Sequence, residues 1–144
     1  MKPKIIHLIK VVDIKFNSLL KNDINVNMSG SQIRILHYLS SNIDKEVHST
    51  DLEKELEVSK ATISGILSRM QDNNLISIES SRVNKRYKKV VITREGLKLN
   101  KYLIDNFDRK EKLLYKDISK KDIEVTRKVL EKMLENMKEE IRND

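Results

Sequence analysis

The sequence predicts a mostly helical fold that carries one small β-hairpin, and three patterns in its 144 residues lead to that prediction. Apolar residues recur at three- and four-residue steps through most of the chain, which is typical of amphipathic helices. Between residues 76 and 92 the period changes to alternation and a β-branched run, which indicates two strands. Glycine and proline occur only three times and once, so long flexible linkers are not expected.

The N-terminal part is expected to form two helices. The first has one apolar face, and residues 22–27 are expected to form the loop that follows it. The second begins at Ser29, where Ser29 and Gln32 match a capping box. The predicted buried residues of this second helix are Ile33, Leu36 and Leu39. The apolar face of the first helix consists of Ile5, Leu8, Ile9, Val12, Phe16, Leu19 and Leu20.

Two short helices joined by a tight turn come next. Residues 50–53 match a second capping box, and the helix that starts there is expected to bury Leu52 and Leu56. After a turn at residues 57–59, Ser59 is a good N-cap for a helix that Asn73 and Asn74 can end. The buried stripe of this helix is expected to comprise Ile63, Ile66, Leu67 and Met70. The arrangement is that of a helix-turn-helix.

A β-hairpin and two long helices complete the predicted fold. Residues 76–80 and 90–92 are expected to be the strands, and residues 81–89 the loop of a wing. Thr93 caps a helix whose apolar residues run from Leu97 to Leu114, and Ser119 begins the last one. The last helix has a sustained apolar seam of Ile123, Leu130, Met133, Leu134, Met137 and Ile141.

The positive charge is concentrated in the middle of the chain. Residues 58–104 contain ten lysines and arginines against three acidic residues, whereas the segments on either side carry equal numbers of the two kinds. The formal net charge of +7 therefore arises entirely in this segment. Such a concentration favours an anionic partner, and a solvated surface with no partner is the alternative that charge alone leaves open.

The terminal helices carry more apolar surface than one small winged domain needs. We therefore expect a single domain, in which residues 29–96 form a winged helix-turn-helix lobe and residues 1–28 and 97–144 supply dimerisation helices. The alternative is that these helices only close the core of a monomer. The predicted contacts between the two copies are Ile5, Leu8, Leu130, Met137 and Ile141.

Composition argues against several classes of protein. Cysteine is absent, which excludes disulfides and thiolate sites, and three scattered histidines show no spacing for a metal. Neither an apolar run of about 18 residues nor a signal peptide is present, so we expect a cytoplasmic protein. No phosphate-binding loop, nucleophile elbow or paired-histidine motif indicates an enzyme, and no cofactor is predicted.

Two stretches resemble the MarR family of transcriptional regulators. They are VSKATISGILSRMQDNNLI at residues 58–76 and VVITREG at residues 90–96, and the order of predicted elements matches over nearly the whole chain. The resemblance implies a winged helix-turn-helix protein that binds double-stranded DNA as a homodimer. It also implies an imperfect inverted repeat as the target, with half-sites about 10 base pairs apart.

The resemblance places the exposed side of the second short helix in the major groove. Lysine, serine and threonine there can reach phosphates or base edges, although Ser59 also has a purely structural role as a cap. Arg69 matches a basic position and is expected to hold a phosphate, with an ion pair as the alternative. At Gly65 the family commonly has an arginine, so one base-reading side chain is missing. The residues directed to the groove are Ser59, Lys60, Ala61, Thr62, Ser64 and Ser68.

The resemblance also gives the wing a role. Arg86 matches the arginine that enters the minor groove, whereas Asn84 stands where the family normally has an aspartate and Ser81 at another commonly acidic position. Without the aspartate, we expect Arg86 to be less rigidly aimed. The remaining basic residues of the wing, which are expected to contact phosphates, are Arg82, Lys85, Lys88 and Lys89.

A small aromatic effector that releases the DNA is a further implication of the resemblance. The candidate contacts are His7, Phe16, His37 and Tyr38, and an ordinary exposed or hydrogen-bonded histidine is the alternative for each histidine. The predicted function is thus that of a sequence-specific DNA-binding regulator, and the expected effect of its binding is repression. Two alternatives remain: a winged-helix module that docks another protein, and a structural protein that coats DNA without specificity.

Overall fold

The computed structural model describes residues 1–21 and 28–142 and confirms the predicted fold class of six helices with one two-stranded hairpin. The loop predicted at residues 22–27 lies outside the described residues. None of the described helices is long and apolar enough to cross a membrane. The elements are α1 (Ile5–Lys21), α2 (Gly30–Ser41), α3 (Ser49–Leu56), α4 (Lys60–Asp72), β1 (Ile76–Ser80), β2 (Lys88–Ile92), α5 (Arg94–Leu114) and α6 (Lys120–Arg142).

The chain divides into two compact units, residues 1–107 and residues 108–144. The first unit has a continuous apolar core, because α2, α3, α4 and the hairpin each turn one apolar face inward. On α4 the predicted stripe is confirmed, with Ile63, Leu67 and Met70 buried and Ile66 packed against them. The rest of the core comprises Ile35, Leu36, Leu39, Val47, Leu52, Leu56, Leu75, Ile76, Val90, Ile92 and Leu103.

The hairpin is antiparallel, with Ile76 paired to Ile92 and Ser80 paired to Lys88. The second strand therefore begins two residues earlier than its β-branched run predicted. Lys88 is exposed and Lys89 half-buried, so lysines at these positions can take part in the ladder without burying their charge. A short extended segment before α3 lies beside β2, where the Val90 N–H donates to the Val47 carbonyl oxygen at 2.8 Å.

Two predicted capping boxes differ from what is observed. Ser29 caps α2 by accepting from the Gln32 N–H at 3.3 Å, but the Gln32 side chain is buried and its Oε1 has no hydrogen-bond partner among the described residues. The other capping box was predicted at residues 50–53, two residues beyond the observed position. The helix α3 begins at Ser49, and its N-cap is His48. There the carboxylate of Asp51 accepts a 2.8 Å hydrogen bond from the His48 N–H.

Ile33 was also predicted to be buried, and that prediction is wrong. Its side chain is 37% exposed, whereas Ile35 is completely buried. The two positions lie 200° apart around a helix at 100° per residue, so they belong to opposite faces. Leu36 and Leu39, which share the face of Ile35, are buried as expected.

The start of α5 is fastened to the end of the turn after α4. Thr93 donates its hydroxyl to the Asn74 carbonyl oxygen at 2.8 Å and accepts from the Gly96 N–H at 3.0 Å, so it is the predicted cap. Asn74 has a φ of 61°, a left-handed conformation that asparagine tolerates, and it lies where the sequence predicts the end of α4. A Cβ atom on Gly96 would overlap the Leu75 carbonyl oxygen, so only glycine fits where α5 passes this turn.

The second unit contains the end of α5 and all of α6. The latter begins as predicted, with Ser119 Oγ accepting from the Asp122 N–H at 3.0 Å. No residue of α6 is buried, although its apolar residues recur along one face. Those that are exposed are Val125, Val129, Leu130, Leu134, Met137 and Ile141.

Candidate nucleic-acid interface

The outer face of α4 is polar and exposed, and the inner face of the helix packs into the core. Ile63, Leu67 and Met70 anchor the helix in the core, which leaves the opposite face to solvent. Ser59 caps the helix by accepting from the Thr62 N–H at 3.2 Å, so its structural role is observed directly. Its hydroxyl also donates to the Thr62 hydroxyl at 2.9 Å. The face therefore belongs to a capped, anchored helix and presents mostly small hydrogen-bonding side chains.

All seven residues that the sequence directed to DNA on α4 are exposed. Gly65 lies among them, and a Cβ atom built there meets nothing within 4 Å. Packing therefore does not require glycine at this position, and a longer side chain would project freely into solvent. The seven exposed residues are Ser59, Lys60, Ala61, Thr62, Ser64, Ser68 and Arg69.

A groove of about 430 Å³ lies between α4 and the wing. From α4 it is lined by Lys60 and Ser64, and from the wing by Arg86 and Lys88. The structure thus brings together residues of the helix and of the hairpin that the sequence could only place on separate elements. Three cations face one carboxylate, that of Glu53, so the groove favours an anion. Its other polar lining residues are Ser49, Thr50 and Tyr87, which the sequence analysis did not propose.

The other basic wing residues do not line this groove. Alternate residues of a strand point to opposite faces, so Lys89 points away from Lys88. Lys89 and Arg82 line a second cavity of about 520 Å³ on the other side of the hairpin, together with Lys45. Lys85 is exposed at the tip of the loop and lines neither cavity. The basic residues therefore cover both sides of the wing.

The base of the wing is held by Glu46, which lies in the loop between α2 and α3. One carboxylate oxygen accepts from the Arg82 N–H at 2.9 Å, and the other accepts from the Ser81 hydroxyl at 2.8 Å. The second oxygen also lies 3.0 Å from Nε2 of His48. The backbone hydrogen bond from Arg82, followed by those of Ser81 and His48, lowers the pKa of Glu46 from 4.5 to about 2.

Hydrogen bonds continue from this base into the wing. Ser81 Oγ accepts from the backbone N–H groups of Val83 and Asn84, each at 3.2 Å. The side-chain oxygen of Asn84 accepts from the Arg86 N–H at 3.1 Å, so Asn84 still supports this part of the loop. At the far end of the loop, the ring of Tyr87 stacks on that of His48 with centroids 5.4 Å apart.

Sequence reasoning missed Glu46 and His48. They precede Ser81 by more than 30 residues, and no local pattern relates a loop carboxylate to a hairpin that forms later in the chain. The one available signal was Ser81 itself, a serine at a position that is commonly acidic in the family that the sequence resembles. The structure shows that the acid in contact with Ser81 comes from another loop.

The four predicted ligand contacts are distributed over different places. His37 and Tyr38 line a cavity of about 450 Å³ beside Arg34, whose guanidinium donates to the Glu55 carbonyl oxygen at 2.9 Å. Neither His7 nor Phe16 is among the described residues that line it. Phe16 contacts Phe107 edge-to-face with ring centroids 5.2 Å apart, and His7 is exposed on α1.

Comparisons with known proteins bear on this fold. Residues 26–86, which include α2 to α4 and most of the wing, match the model of the MarR family. No curated protein matches the sequence significantly.

Solved structures extend the MarR-family likeness beyond this segment. MepR, a transcription regulator of the Staphylococcus aureus multidrug efflux pump MepA, superposes with a TM-score of 0.77 at 21% identity, covering 94% of this chain and 100% of its own. The heme sensor protein PefR from Streptococcus agalactiae superposes with a TM-score of 0.69 at 25% identity, covering 90% of this chain and 88% of its own. The chain therefore has the fold of a MarR-family transcription regulator.

Proposed function

We propose that the chain is a regulator that binds a specific sequence of double-stranded DNA, acting as a repressor. The observation that carries the proposal is the joint placement of Lys60 and Ser64 on α4 with Arg86 and Lys88 on the wing, around one basic groove. Phosphate contacts from such cations set the register of a protein on DNA, and an exposed helix can read base edges. The polar outer face of α4 is the part of this surface that would provide the specificity.

The two sides of the wing suggest a division of roles. Arg86 and Lys88 face α4 across the groove, so they are suited to the DNA that α4 contacts. Arg82 and Lys89 lie on the opposite side, where they are suited to backbone phosphates farther along the duplex. The proposed minor-groove residue is Arg86, as in the family that the chain resembles.

We also propose that two copies of the chain bind together. All five residues that the sequence places between the copies are exposed on the single chain, and Ile141 is 70% exposed. Apolar residues that repeat along one face of a helix and remain uncovered favour an interface. A two-fold dimer would place two α4 helices in successive major grooves of an inverted repeat. The five residues are Ile5, Leu8, Leu130, Met137 and Ile141.

A small-molecule effector is part of the proposal. Among the solved relatives is MepR bound to ethidium bromide, with a TM-score of 0.68 at 21% identity, covering 94% of this chain and 98% of its own. In this chain the cavity at His37 and Tyr38 is the place we propose for an aromatic effector. His7 and Phe16 do not line this cavity, so they are not part of the proposed pocket.

Replacing Arg86 by alanine tests the proposed DNA surface. The probe is a duplex that the wild-type protein enriches from a random-sequence pool, and binding is measured by fluorescence anisotropy across a salt series. The wild-type protein should bind this duplex with a steep salt dependence, and Arg86→Ala should weaken binding and reduce the slope by about one unit. The matched control is Arg127→Ala, which removes an exposed arginine of α6 that pairs with Glu124.

The same experiment separates the alternatives. Equal affinity for the enriched and scrambled duplexes would indicate a protein that coats DNA without specificity. A wild-type protein that binds neither duplex at low salt would favour the module that docks another protein. An Arg86→Ala variant with unchanged affinity and salt slope would show that Arg86 does not contact the DNA.

A further inference from the structure

Two segments that are far apart in sequence meet at the carboxylate of Glu46. They are the start of the wing at Ser81 and Arg82, and the end of the α2–α3 loop, which carries Glu46 itself and His48, the N-cap residue of α3. Ser81 is 3% exposed, so its hydroxyl is buried at this contact, and the Glu46 side chain is 16% exposed. A hydrogen bond that involves a charged acceptor is stronger than one between neutral groups, more so where water is excluded.

We propose that Glu46 is a positioning residue of the wing and replaces the aspartate that the wing lacks. This inference rests on the proposed function, because it concerns how the wing is presented to DNA. Glu46 fixes the backbone where the basic loop begins, and Ser81 passes that constraint on to Val83 and Asn84. Asn84 in turn holds the backbone N–H of Arg86.

The hydrogen bonds from Glu46 to Arg86 form a continuous series. Each group in the series accepts from one or more backbone N–H groups farther along the chain, and the Ser81 hydroxyl also donates to Glu46. The loop between Ser81 and Arg86 therefore has few ways to move without breaking a hydrogen bond. The sequence alone indicated a loosely aimed Arg86, because it showed an amide where an acid was expected. The structure supplies that acid from the α2–α3 loop, at the base of the wing.

His48 and Tyr87 hold the other end of the same loop. The two rings stack, and the Tyr87 carbonyl oxygen accepts from the Ser81 N–H at 3.1 Å, which closes the loop. Nε2 of His48 lies within hydrogen-bonding distance of both Glu46 and Ser81. Both ends of the wing loop are therefore tied to residues 46 and 48.

Charge and positioning make opposite predictions for the removal of this carboxylate. A negative charge beside a surface that binds phosphates weakens binding, so Glu46→Gln should strengthen it if charge alone matters. If Glu46 positions the wing, the same variant should weaken binding to the enriched duplex, because the glutamine amide is a weaker acceptor. Asp44→Asn is the matched control, since it removes the same charge from an exposed residue of the same loop.

The experiment measures two quantities on the full-length chain. Without DNA, hydrogen exchange is followed at the backbone amides of Arg82, Val83 and Asn84. With the enriched duplex, affinity is measured by anisotropy. We expect Glu46→Gln to speed exchange at these amides at least about tenfold and to weaken binding at least about threefold. Asp44→Asn should leave exchange unchanged and should not weaken binding.

Ser81→Ala provides an independent variant and a test of coupling. It removes the hydroxyl that links Glu46 to the loop, so it should have the same two effects. The double variant should be little worse than either single one, because both changes break one series of hydrogen bonds. The thermal midpoint of each variant is recorded, so that a general loss of folding is not mistaken for a local effect.

The outcomes separate this inference from the proposed function. Unchanged exchange at the three amides in Glu46→Gln would overturn the positioning role, whatever the protein binds. Faster exchange with unaltered or tighter DNA binding would also overturn it. If the wild-type protein enriches no duplex, the proposed function fails, and with it the role of Glu46 in presenting the wing to DNA.

Discussion

The helices α4 and α6 are both amphipathic, but they use their apolar faces differently. In α4 the apolar face is buried within its own unit, where Ile63, Leu67 and Met70 are at most 3% exposed. In α6 no residue is buried, and Leu134 and Ile141 are more than half exposed. The single chain therefore buries the apolar face of α4 but leaves that of α6 exposed.

This difference indicates which surface of each helix is available for binding. Because the core already occupies the apolar face of α4, what remains is a polar face suited to an anionic, hydrogen-bonding partner. The free face of α6 is apolar, so the partner that it favours is another apolar surface. A second copy of the chain presents such a surface, which is why the proposed dimer uses α6.

The largest expected effect comes from placing charge on the free face of α6. The double variant Leu130→Glu with Met137→Glu should convert the dimer to a monomer, because burying two carboxylates at an apolar interface is costly. A protomer that binds one half-site loses the second attachment, so affinity for the enriched duplex should fall at least about 100-fold. Sedimentation velocity and anisotropy measure the two changes.

The control is the pair Lys128→Gln with Lys138→Gln, which lowers the net charge by the same amount at exposed residues of α6. We expect it to remain a dimer. A wild-type protein that sediments as a monomer at micromolar concentration would contradict the contrast between the helices, since the free face of α6 would then have no partner copy.

The same substitution at two glycines should change stability in opposite directions. Gly96→Ala should lower the free energy of unfolding by about 1–3 kcal/mol, because the new methyl group overlaps the Leu75 carbonyl oxygen. Gly65→Ala should raise it by about 0.5–1 kcal/mol, because the outer face of α4 has free space and alanine favours a helix. Urea unfolding measures both, and a destabilised Gly65→Ala would show that the outer face of α4 is not free.

The smallest expected effect concerns pH and the base of the wing. The pKa of Glu46 is about 2 in the folded chain and 4.5 without its partners, so its ionised form stabilises the fold above pH 4.5. That contribution is lost as the pH falls through about 2, when the carboxylate is protonated. His48 contacts Glu46, and Asp51 lies 3.8 Å from His48. Both residues are retained in the Glu46→Gln variant, so a comparison with the wild-type protein changes the carboxylate alone.

The difference in unfolding free energy between the wild-type protein and Glu46→Gln isolates this effect. It should be constant above about pH 5 and should shrink between pH 4.5 and 2, where the wild-type residue becomes neutral like glutamine. Urea unfolding across this range measures it, with Asp44→Asn as the control. A difference that does not change with pH would mean that the ionised carboxylate does not hold the wing.

The sequence predicted the fold well where a pattern is local. The stripe of α4, the cap at Ser59, the turn at Asn74 and the cap at Thr93 each depend on residues within one or two helical turns, and all are confirmed. One error arose where contacts with residues distant in sequence accompany a different local choice. Residues 50–53 fit a capping box, but His48 takes the capping position because it also contacts Glu46 and Ser81.

The candidate site was only partly predictable for a related reason. Exposure of the polar residues on α4 follows from helix periodicity, so it could be foreseen. The opposite facing of Lys88 and Lys89 depends on the strand beginning at Lys88, which the β-branched run did not indicate. Contacts such as that between Glu46 and Ser81 join segments far apart in sequence, and one sequence contains no signal for them.

Sequence-specific DNA binding is tested most directly by the ratio of two affinities of the wild-type protein. Anisotropy at physiological salt compares the enriched duplex with a scrambled duplex of the same length and composition. We predict a ratio of roughly 10³ or more, because the outer face of α4 should read base edges as well as contact phosphates. A ratio near one would contradict sequence-specific binding, since the basic groove would then attract DNA without any contribution from base contacts.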